Sequence, residues 1–224
     1  ERDSPLTVWV LLDATASMAQ TDAARPGWSR LSAAKAMAAC VFELACRQGD
    51  RFGLIAVNGD GLQVTAAGAG AKHRDACLWG LSQAAAAGSW PSEAVCRPIW
   101  ERIGANALVL MISDGFDDDA LALAERLAAA RRELFNIRIM TAEERDFPFS
   151  GGQRFIDVET GAELLTDAAA SRGEYLDRFA AAGAELARRL AASGIRHAET
   201  FLDQPLDAPL RQLFGHSKRR GSAR

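Results

Sequence analysis

The fold of this chain of 224 residues is decided by one stretch near its start, Val8-Trp9-Val10-Leu11-Leu12-Asp13-Ala14-Thr15-Ala16-Ser17-Met18. Its first five residues are apolar without polar alternation, which is typical of a strand buried on both faces of a parallel sheet, although a buried helix has the same apolar run. Ligands of open α/β sheets bind outside the carboxyl ends of the strands. We therefore expect Asp13, Thr15 and Ser17 to line a binding crevice.

The side chains of this turn allow two interpretations. Carboxylate and hydroxyl oxygens are hard ligands, suited to Mg²⁺ or Mn²⁺ rather than to copper or zinc. The alternative is a helix N-cap, because Asp, Ser and Thr are common before helices, where they accept hydrogen bonds from backbone amides. The stretch alone leaves both interpretations open.

A second stretch repeats the design, with an apolar strand that ends in a carboxylate: Leu108-Val109-Leu110-Met111-Ile112-Ser113-Asp114-Gly115. If the strand order reverses between the two strands, Asp13 and Asp114 lie side by side at the switch point and can share one cation. The pair therefore favours a cation site. We interpret the acidic run at 117–119 as a helix N-terminus stabilised by the helix dipole rather than as an extension of that site.

These motifs resemble those of a known family. Asp13-x-Thr15-x-Ser17-Met18 and Ile112-Ser113-Asp114-Gly115 are similar to the metal-ion-dependent adhesion site (MIDAS) of von Willebrand factor A (vWA) domains, with its DxSxS turn and later Asp-Gly loop. Further segments resemble the bacterial vWA family encoded beside MoxR-type AAA+ ATPases, a family of largely unassigned function. They are residues 49–55, 146–149 and 154–161 and the C-terminal pattern near 194–214. The resemblance covers residues 6–214.

The resemblance implies a set of metal ligands and a partner. The cation would be Mg²⁺ or Mn²⁺ with an open coordination position, held by Asp13, Thr15, Ser17, Asp114 and Ser89. Thr15 replaces the usual serine and keeps the hydroxyl. No threonine stands in the third loop, where Ser89 or Ser92 supplies the candidate oxygen.

In such domains an acidic residue of a partner protein completes the metal shell. The resemblance therefore implies a protein-binding adaptor rather than an enzyme. Its partner would be a MoxR-type AAA+ ATPase. The adaptor would act in the chaperone-like assembly or maturation of another protein complex.

The enzyme alternative is a Mg²⁺-dependent phosphohydrolase that uses Asp13 as nucleophile, because a carboxylate at a strand end can form an acyl-phosphate. Resemblance to the haloacid dehalogenase superfamily would require a second Asp two residues later, where Thr15 stands. The chain also lacks the G-x-x-x-x-G-K-[ST] loop of nucleotide hydrolases and the G-x-S-x-G turn of serine hydrolases. These absences favour the adaptor.

Composition is consistent with one globular domain in a reducing compartment. The net charge is −3, so no broad basic field indicates nucleic-acid binding. The four cysteines show no CxxC spacing, and we interpret them as reduced, buried small hydrophobes. We expect a cytoplasmic domain at 6–214 and a basic disordered tail at 215–224. The chain begins without Met, and members of the resembling family often carry an N-terminal membrane anchor. The resemblance therefore leaves membrane attachment of the full-length protein open.

The alternation of strand and helix patterns predicts an α/β, doubly wound, mostly parallel sheet with helices on both faces, vWA-like and Rossmann-like. Asn58-Gly59-Asp60-Gly61 is a reverse-turn signal that predicts one antiparallel edge strand. A hairpin-containing insertion is expected near 146–166. The predicted strands span 7–12, 52–57, 62–66, 108–113 and 137–141, and the predicted helices 28–47, 72–86, 92–103, 119–134 and 168–192.

Overall fold

The computed structural model describes residues 5–23, 25–149, 152–156 and 163–215. Its strands are β1 Thr7–Asp13, β2 Thr21–Asp22, β3 Arg25–Ser29, β4 Arg51–Asn58, β5 Gly61–Gly68, β6 Leu108–Ser113, β7 Glu133–Met140, β8 Gly152–Ile156, β9 Glu163–Asp167 and β10 Arg196–Phe201. Its α-helices are α1 Arg30–Gln48, α2 Ala71–Gln83, α3 Glu93–Arg102, α4 Asp118–Ala129, α5 Ala142–Asp146, α6 Ala168–Ala192 and α7 Ala208–Phe214. A 3₁₀ helix spans Ala16–Ala19.

Six strands form the central sheet in the order β10-β7-β6-β1-β4-β5. All neighbours are parallel except β4 and β5, which pair antiparallel at one edge. The order reverses around β1, whose neighbours are β4 and β6, so the predicted doubly wound sheet with one antiparallel edge strand is confirmed. Asn58 Oδ1 accepts a hydrogen bond from the Asp60 amide at 3.0 Å, which closes the predicted turn.

Helices cover both faces of the sheet, and this explains why β1 shows no polar alternation. Val8, Val10 and Leu12 join the core beneath α1, α2 and α7. Trp9 and Leu11 face the opposite core beneath α3, α4 and α6. Every side chain of the strand from position 8 onward is therefore buried. Within the described residues, no helix is both long and apolar enough to cross a membrane.

Several predicted boundaries were wrong: α1 begins at 30 rather than 28, α2 ends at 83 rather than 86, and β7 begins at 133 rather than 137. Two further differences have a visible cause. The helix expected to reach Leu134 ends at Ala129, because Arg131 adopts a left-handed φ of 63° and Leu134 pairs with Val109 in the sheet. The closing strand begins at 196, not at 194–195, because Gly194 adopts a φ of 71° after α6. The bounds of α6 match the prediction, 168–192.

The predicted hairpin in the insertion is present as the antiparallel pair of β8 and β9. Its expected turn at Thr160-Gly161 lies outside the described residues, as do positions 216–224 of the expected tail. A second small hairpin, β2 with β3, was not predicted and precedes α1 directly. The buried Asp22 of this hairpin accepts a hydrogen bond from the Ala142 amide, which fixes the hairpin to α5.

Candidate functional site

Asp13, Thr15 and Ser17 form one cluster of oxygens directly after β1. Asp13 Oδ1 accepts hydrogen bonds from the Thr15 amide at 2.9 Å and from Thr15 Oγ1 at 2.7 Å. Thr15 Oγ1 lies 3.1 Å from Ser17 Oγ. Thr15 precedes the 3₁₀ helix, but its side chain makes no capping hydrogen bond to that helix. The Thr15 hydroxyl therefore turns toward the carboxylate, which disfavours the N-cap interpretation.

Asp13 is a buried carboxylate without an ion-pair partner among the residues that the structure describes. Burial raises its pKa to about 7, and the negative charge of Asp114 adds to this increase. The two hydrogen bonds from Thr15 act in the opposite direction. An ionised Asp13 is costly in this environment, and a bound cation would remove that cost.

Asp114 follows β6 and lies beside Asp13, because Leu12 pairs with Ile112 in the parallel register of β1 and β6. It is also buried, with 2% of its surface exposed. Its Oδ1 accepts a hydrogen bond from the Phe116 amide at 3.3 Å across Gly115, which adopts a φ of 75°. The predicted meeting of the two carboxylates at the switch point of the sheet is therefore present.

Arg30, which the sequence analysis did not single out, is the cation that contacts Asp114. Its Nη1 donates to Asp114 Oδ2 at 2.9 Å and to the Ser17 carbonyl at 3.3 Å, while Nη2 donates to Glu144 of α5. Only 1% of its side chain is exposed. One signal could have found it. Arg30 is the first residue of α1, where the helix dipole disfavours a positive charge, so a nearby carboxylate is needed to retain it.

A second arginine holds the same loop through its backbone. Arg138 of β7 donates from Nε to the Asp114 carbonyl at 3.0 Å and from Nη1 to Glu199 of β10 at 3.0 Å. Phe116 lies near both guanidinium groups, 5.7 Å from Arg30 and 5.3 Å from Arg138, and 60% of its surface is exposed. The Asp114 loop thus presents an aromatic ring to solvent beside two fixed positive charges.

The third loop reaches the site through its backbone. The Gly88 carbonyl accepts a hydrogen bond from the Ala16 amide at 2.7 Å. Ser89, the predicted ligand of this loop, is exposed, and no described contact joins its side chain to Asp13 or Asp114. Ser92, the other candidate, is exposed at the N-terminus of α3. The neighbouring Trp90 is buried in the core beneath α3 and α4.

Other residues near the site have structural roles. Asp117 caps α4, because Oδ1 accepts hydrogen bonds from the amides of Asp119 and Ala120 at 2.8 and 3.0 Å. The cysteines differ from the expectation that all are buried. Cys77 and Cys96 are buried, whereas Cys40 is exposed and Cys46 half-buried on α1. All four are free thiols.

The chemistry of the cluster fits a hard divalent cation. Asp13 Oδ1 and the hydroxyls of Thr15 and Ser17 are oxygen donors of the type that Mg²⁺ prefers, and Mg²⁺ keeps water where the protein supplies no ligand. Within the described residues, no three carboxylate, imidazole or thiol side chains are grouped to hold a metal. A cation at this place would therefore depend on hydroxyl and water oxygens as well as on carboxylates.

Solved structures share the fold. The chain resembles the conserved hypothetical protein BatB from Bacteroides thetaiotaomicron with a TM-score of 0.54 and 14% identity, over 92% of this chain and 95% of BatB. An aerotolerance-related membrane protein from Bacteroides fragilis gives a TM-score of 0.55 and 14% identity, over 93% and 98%. The VWA domain of SpRpn10 gives a TM-score of 0.54 and 11% identity, over 93% of this chain and 95% of that domain. The chain therefore has a vWA-like fold.

Comparisons at the sequence level place the chain in one family. No curated protein matches it in sequence. Residues 1–185 match the model of the family described as protein of unknown function DUF58. Because that match covers far more than half of the chain, the protein belongs to the DUF58 family.

Proposed function

We propose that this domain is a protein-binding adaptor whose docking point is a MIDAS-type site for Mg²⁺ or Mn²⁺. The observation that carries the proposal is the juxtaposition of Asp13 and Asp114 at neighbouring strand ends, where Asp13 is buried without a described cation partner. A buried carboxylate of this kind requires either a proton or a cation. A divalent cation would also use the Thr15 hydroxyl, which contacts Asp13, and the Ser17 hydroxyl beside it.

Each residue has a distinct role in the proposed site. Asp13, Thr15 and Ser17 would hold the ion through their oxygens, and Asp114, already bonded to Arg30, would act through a water molecule. Ser89 would supply its hydroxyl only after its exposed side chain moves toward the ion. One coordination position would stay open for a carboxylate of the partner, so that the ion joins two proteins.

The partner belongs to the same proposal. The resemblance to vWA proteins encoded beside MoxR-type AAA+ ATPases supports such an ATPase as the protein bound, in chaperone-like assembly or maturation of another complex. Phe116 provides an exposed aromatic ring next to the Asp114 loop, and aromatic residues are enriched in protein interfaces. The free thiols support a cytoplasmic location.

Calorimetry with Mg²⁺ and Mn²⁺ tests the metal. The wild-type chain should bind one ion, and Asp13→Ala should remove the binding because the central carboxylate is lost. Asp117→Ala is the matched control, since Asp117 is a nearby carboxylate whose contacts are those of a helix cap. Circular dichroism should show that each variant is folded. Absence of binding in the wild type would contradict the proposal.

A second experiment tests the adaptor role. A purified MoxR-type AAA+ ATPase from the same organism should bind the wild type in Mg²⁺ and dissociate in EDTA, and it should bind Asp13→Ala weakly in both. Hydrolysis of p-nitrophenyl phosphate is measured in parallel. Robust Mg²⁺-dependent turnover that Asp13→Ala abolishes would replace the adaptor with a phosphohydrolase.

A further inference from the structure

Arg30 places a permanent positive charge inside the proposed cation site. A guanidinium group does not lose its proton in proteins. The group is buried and contacts three separate segments of the chain, through the Ser17 carbonyl, Asp114 and Glu144. A charge held in this way cannot move aside when a metal ion binds unless these contacts break.

The contact occupies the carboxylate that a metal ion would otherwise use. Asp114 Oδ2 accepts from Arg30 at 2.9 Å and Oδ1 accepts from the Phe116 amide at 3.3 Å. Both oxygens are therefore engaged before any ion arrives. Asp13 differs, because no described residue donates a hydrogen bond to its Oδ2.

We infer that Arg30 sets the affinity of the site by holding Asp114 out of direct coordination and by repelling the incoming divalent cation. The ion is then bound by Asp13, Thr15 and Ser17 more weakly than it would be with Asp114 as a direct ligand. This inference rests on the proposed function. It assigns to Arg30 a role as a positioning residue with an electrostatic penalty, since like charges at short distance oppose binding.

The competing role for Arg30 is structural. Its side chain joins the turn after β1, the Asp114 loop and α5, and loss of these contacts could loosen the ion site. The two roles predict opposite changes. If Arg30 opposes the cation, its removal tightens divalent binding; if Arg30 only holds the site together, its removal weakens binding.

Calorimetry with Mg²⁺ and Mn²⁺ on Arg30→Gln distinguishes them. We expect the dissociation constant to fall by tenfold or more, and Mg²⁺ to raise the melting temperature of Arg30→Gln by more than it raises that of the wild type, since ligand binding stabilises the folded state. The matched control is Arg138→Gln, which removes a buried arginine bonded to the Asp114 carbonyl instead of its carboxylate. It should not tighten binding.

A second variant guards against misfolding. Arg30→Gln leaves Asp114 and the part-buried Glu144 without the cation that contacts both, and loss of one partner of a buried ion pair is destabilising. The double variant Arg30→Gln/Glu144→Gln removes both members of this pair and should also bind tenfold tighter. Glu144→Gln alone keeps Arg30 on Asp114 and should bind with no such gain.

The outcomes are separable from those of the proposed function. Tighter binding in the Arg30 variants supports the inference, and it does so even if the wild type shows no binding, in which case the proposed function fails for the wild-type chain. Equal or weaker binding in variants of a wild type that does bind overturns the inference and leaves the proposed function standing. Equal tightening by Arg138→Gln also overturns it. Binding in none of the proteins overturns both.

Discussion

The carboxyl group of Asp13 couples the stability of the cation-free domain to pH. Its pKa is raised to about 7 in the folded state, chiefly by burial and then by the charge of Asp114, whereas the unfolded chain has the ordinary value of 3.8. Between these values the folded state binds more protons than the unfolded state. Stability therefore falls as pH rises through this window, by at most about 1.4 kcal/mol per pH unit. Below pH 4 the group contributes nothing, and above pH 7 its destabilisation is complete.

Replacement of Asp13 by asparagine should remove this dependence. Asp13→Asn keeps an oxygen that accepts from Thr15 but carries no charge. In EDTA, its free energy of unfolding should exceed that of the wild type increasingly from pH 5 to pH 8, as measured by urea denaturation. Asp119→Asn, on the exposed surface of α4, is the control for loss of a carboxylate. The prediction would be contradicted if the difference in free energy of unfolding between Asp13→Asn and the wild type stayed constant from pH 5 to pH 8.

The sequence allowed Asp13 and Asp114 to be predicted as neighbours because each ends an apolar strand, a pattern that is local along the chain. Arg30 and Arg138 could not be predicted in the same way. Their partners lie 84 and 24 residues away, so only the register of the sheet brings them together. Ser89 was chosen by its place in the family pattern, but side-chain direction in a loop follows from packing that the pattern does not contain.

At the scale of elements, the third loop and the turn between β4 and β5 support the site by direct backbone contact. A Cβ atom on Gly88 would lie 2.8 Å from Gly59 Cα, and Gly88 adopts a φ of 57°. The same residue accepts the hydrogen bond from Ala16 that joins the loop to the turn after β1. Only glycine adopts this positive φ and allows this close approach to Gly59 without strain.

Gly88→Ala should therefore weaken the site and the fold together. We expect a loss of about 1 to 3 kcal/mol in the free energy of unfolding, because the new methyl group clashes with the backbone of Gly59, which cannot rotate away as a side chain can. We also expect weaker Mg²⁺ binding. Gly104→Ala is the control, since a Cβ there meets nothing within 4 Å. Urea denaturation and calorimetry measure the two effects. Equal behaviour of both variants would contradict this account.

Element positions were predictable where local signals agreed. The turn at 58–61 was marked by its asparagine, aspartate and glycine residues, and the long helix at 168–192 by a periodic apolar pattern with clear ends. The end of α4 had no such boundary, because alanine and arginine continue the helical pattern past Ala129. The helix ends there because Leu134 pairs with Val109 in the sheet, and this tertiary interaction overrides the local helix propensity.

At the scale of the whole molecule, stability depends on the two cores that sandwich the sheet. Leu110 lies in β6 between β1 and β7, paired with Val10 on one side and Phe135 on the other, and it is fully buried. A cavity at this place has walls from three strands and from α1, so it cannot collapse easily. The apolar runs that produce this core also made the fold class predictable from sequence.

Leu110→Ala should lower the free energy of unfolding by roughly 2 to 5 kcal/mol, the usual cost of removing a buried leucine side chain. Leu78→Ala, on the outer side of α2, is the control because Leu78 is already 37% exposed and should cost far less. Urea denaturation at fixed pH in EDTA measures both. A similar loss for the two variants would contradict the assignment of the core.

The contacts of Arg30 also have a consequence for the order of events during synthesis. Arg30 donates to Glu144 of α5, which is made more than a hundred residues after Arg30 itself. Contacts of such long range cost loop-closure entropy and are slow to form. On a chain still emerging from the ribosome, the contacts of Arg30 therefore stay incomplete until α5 is available.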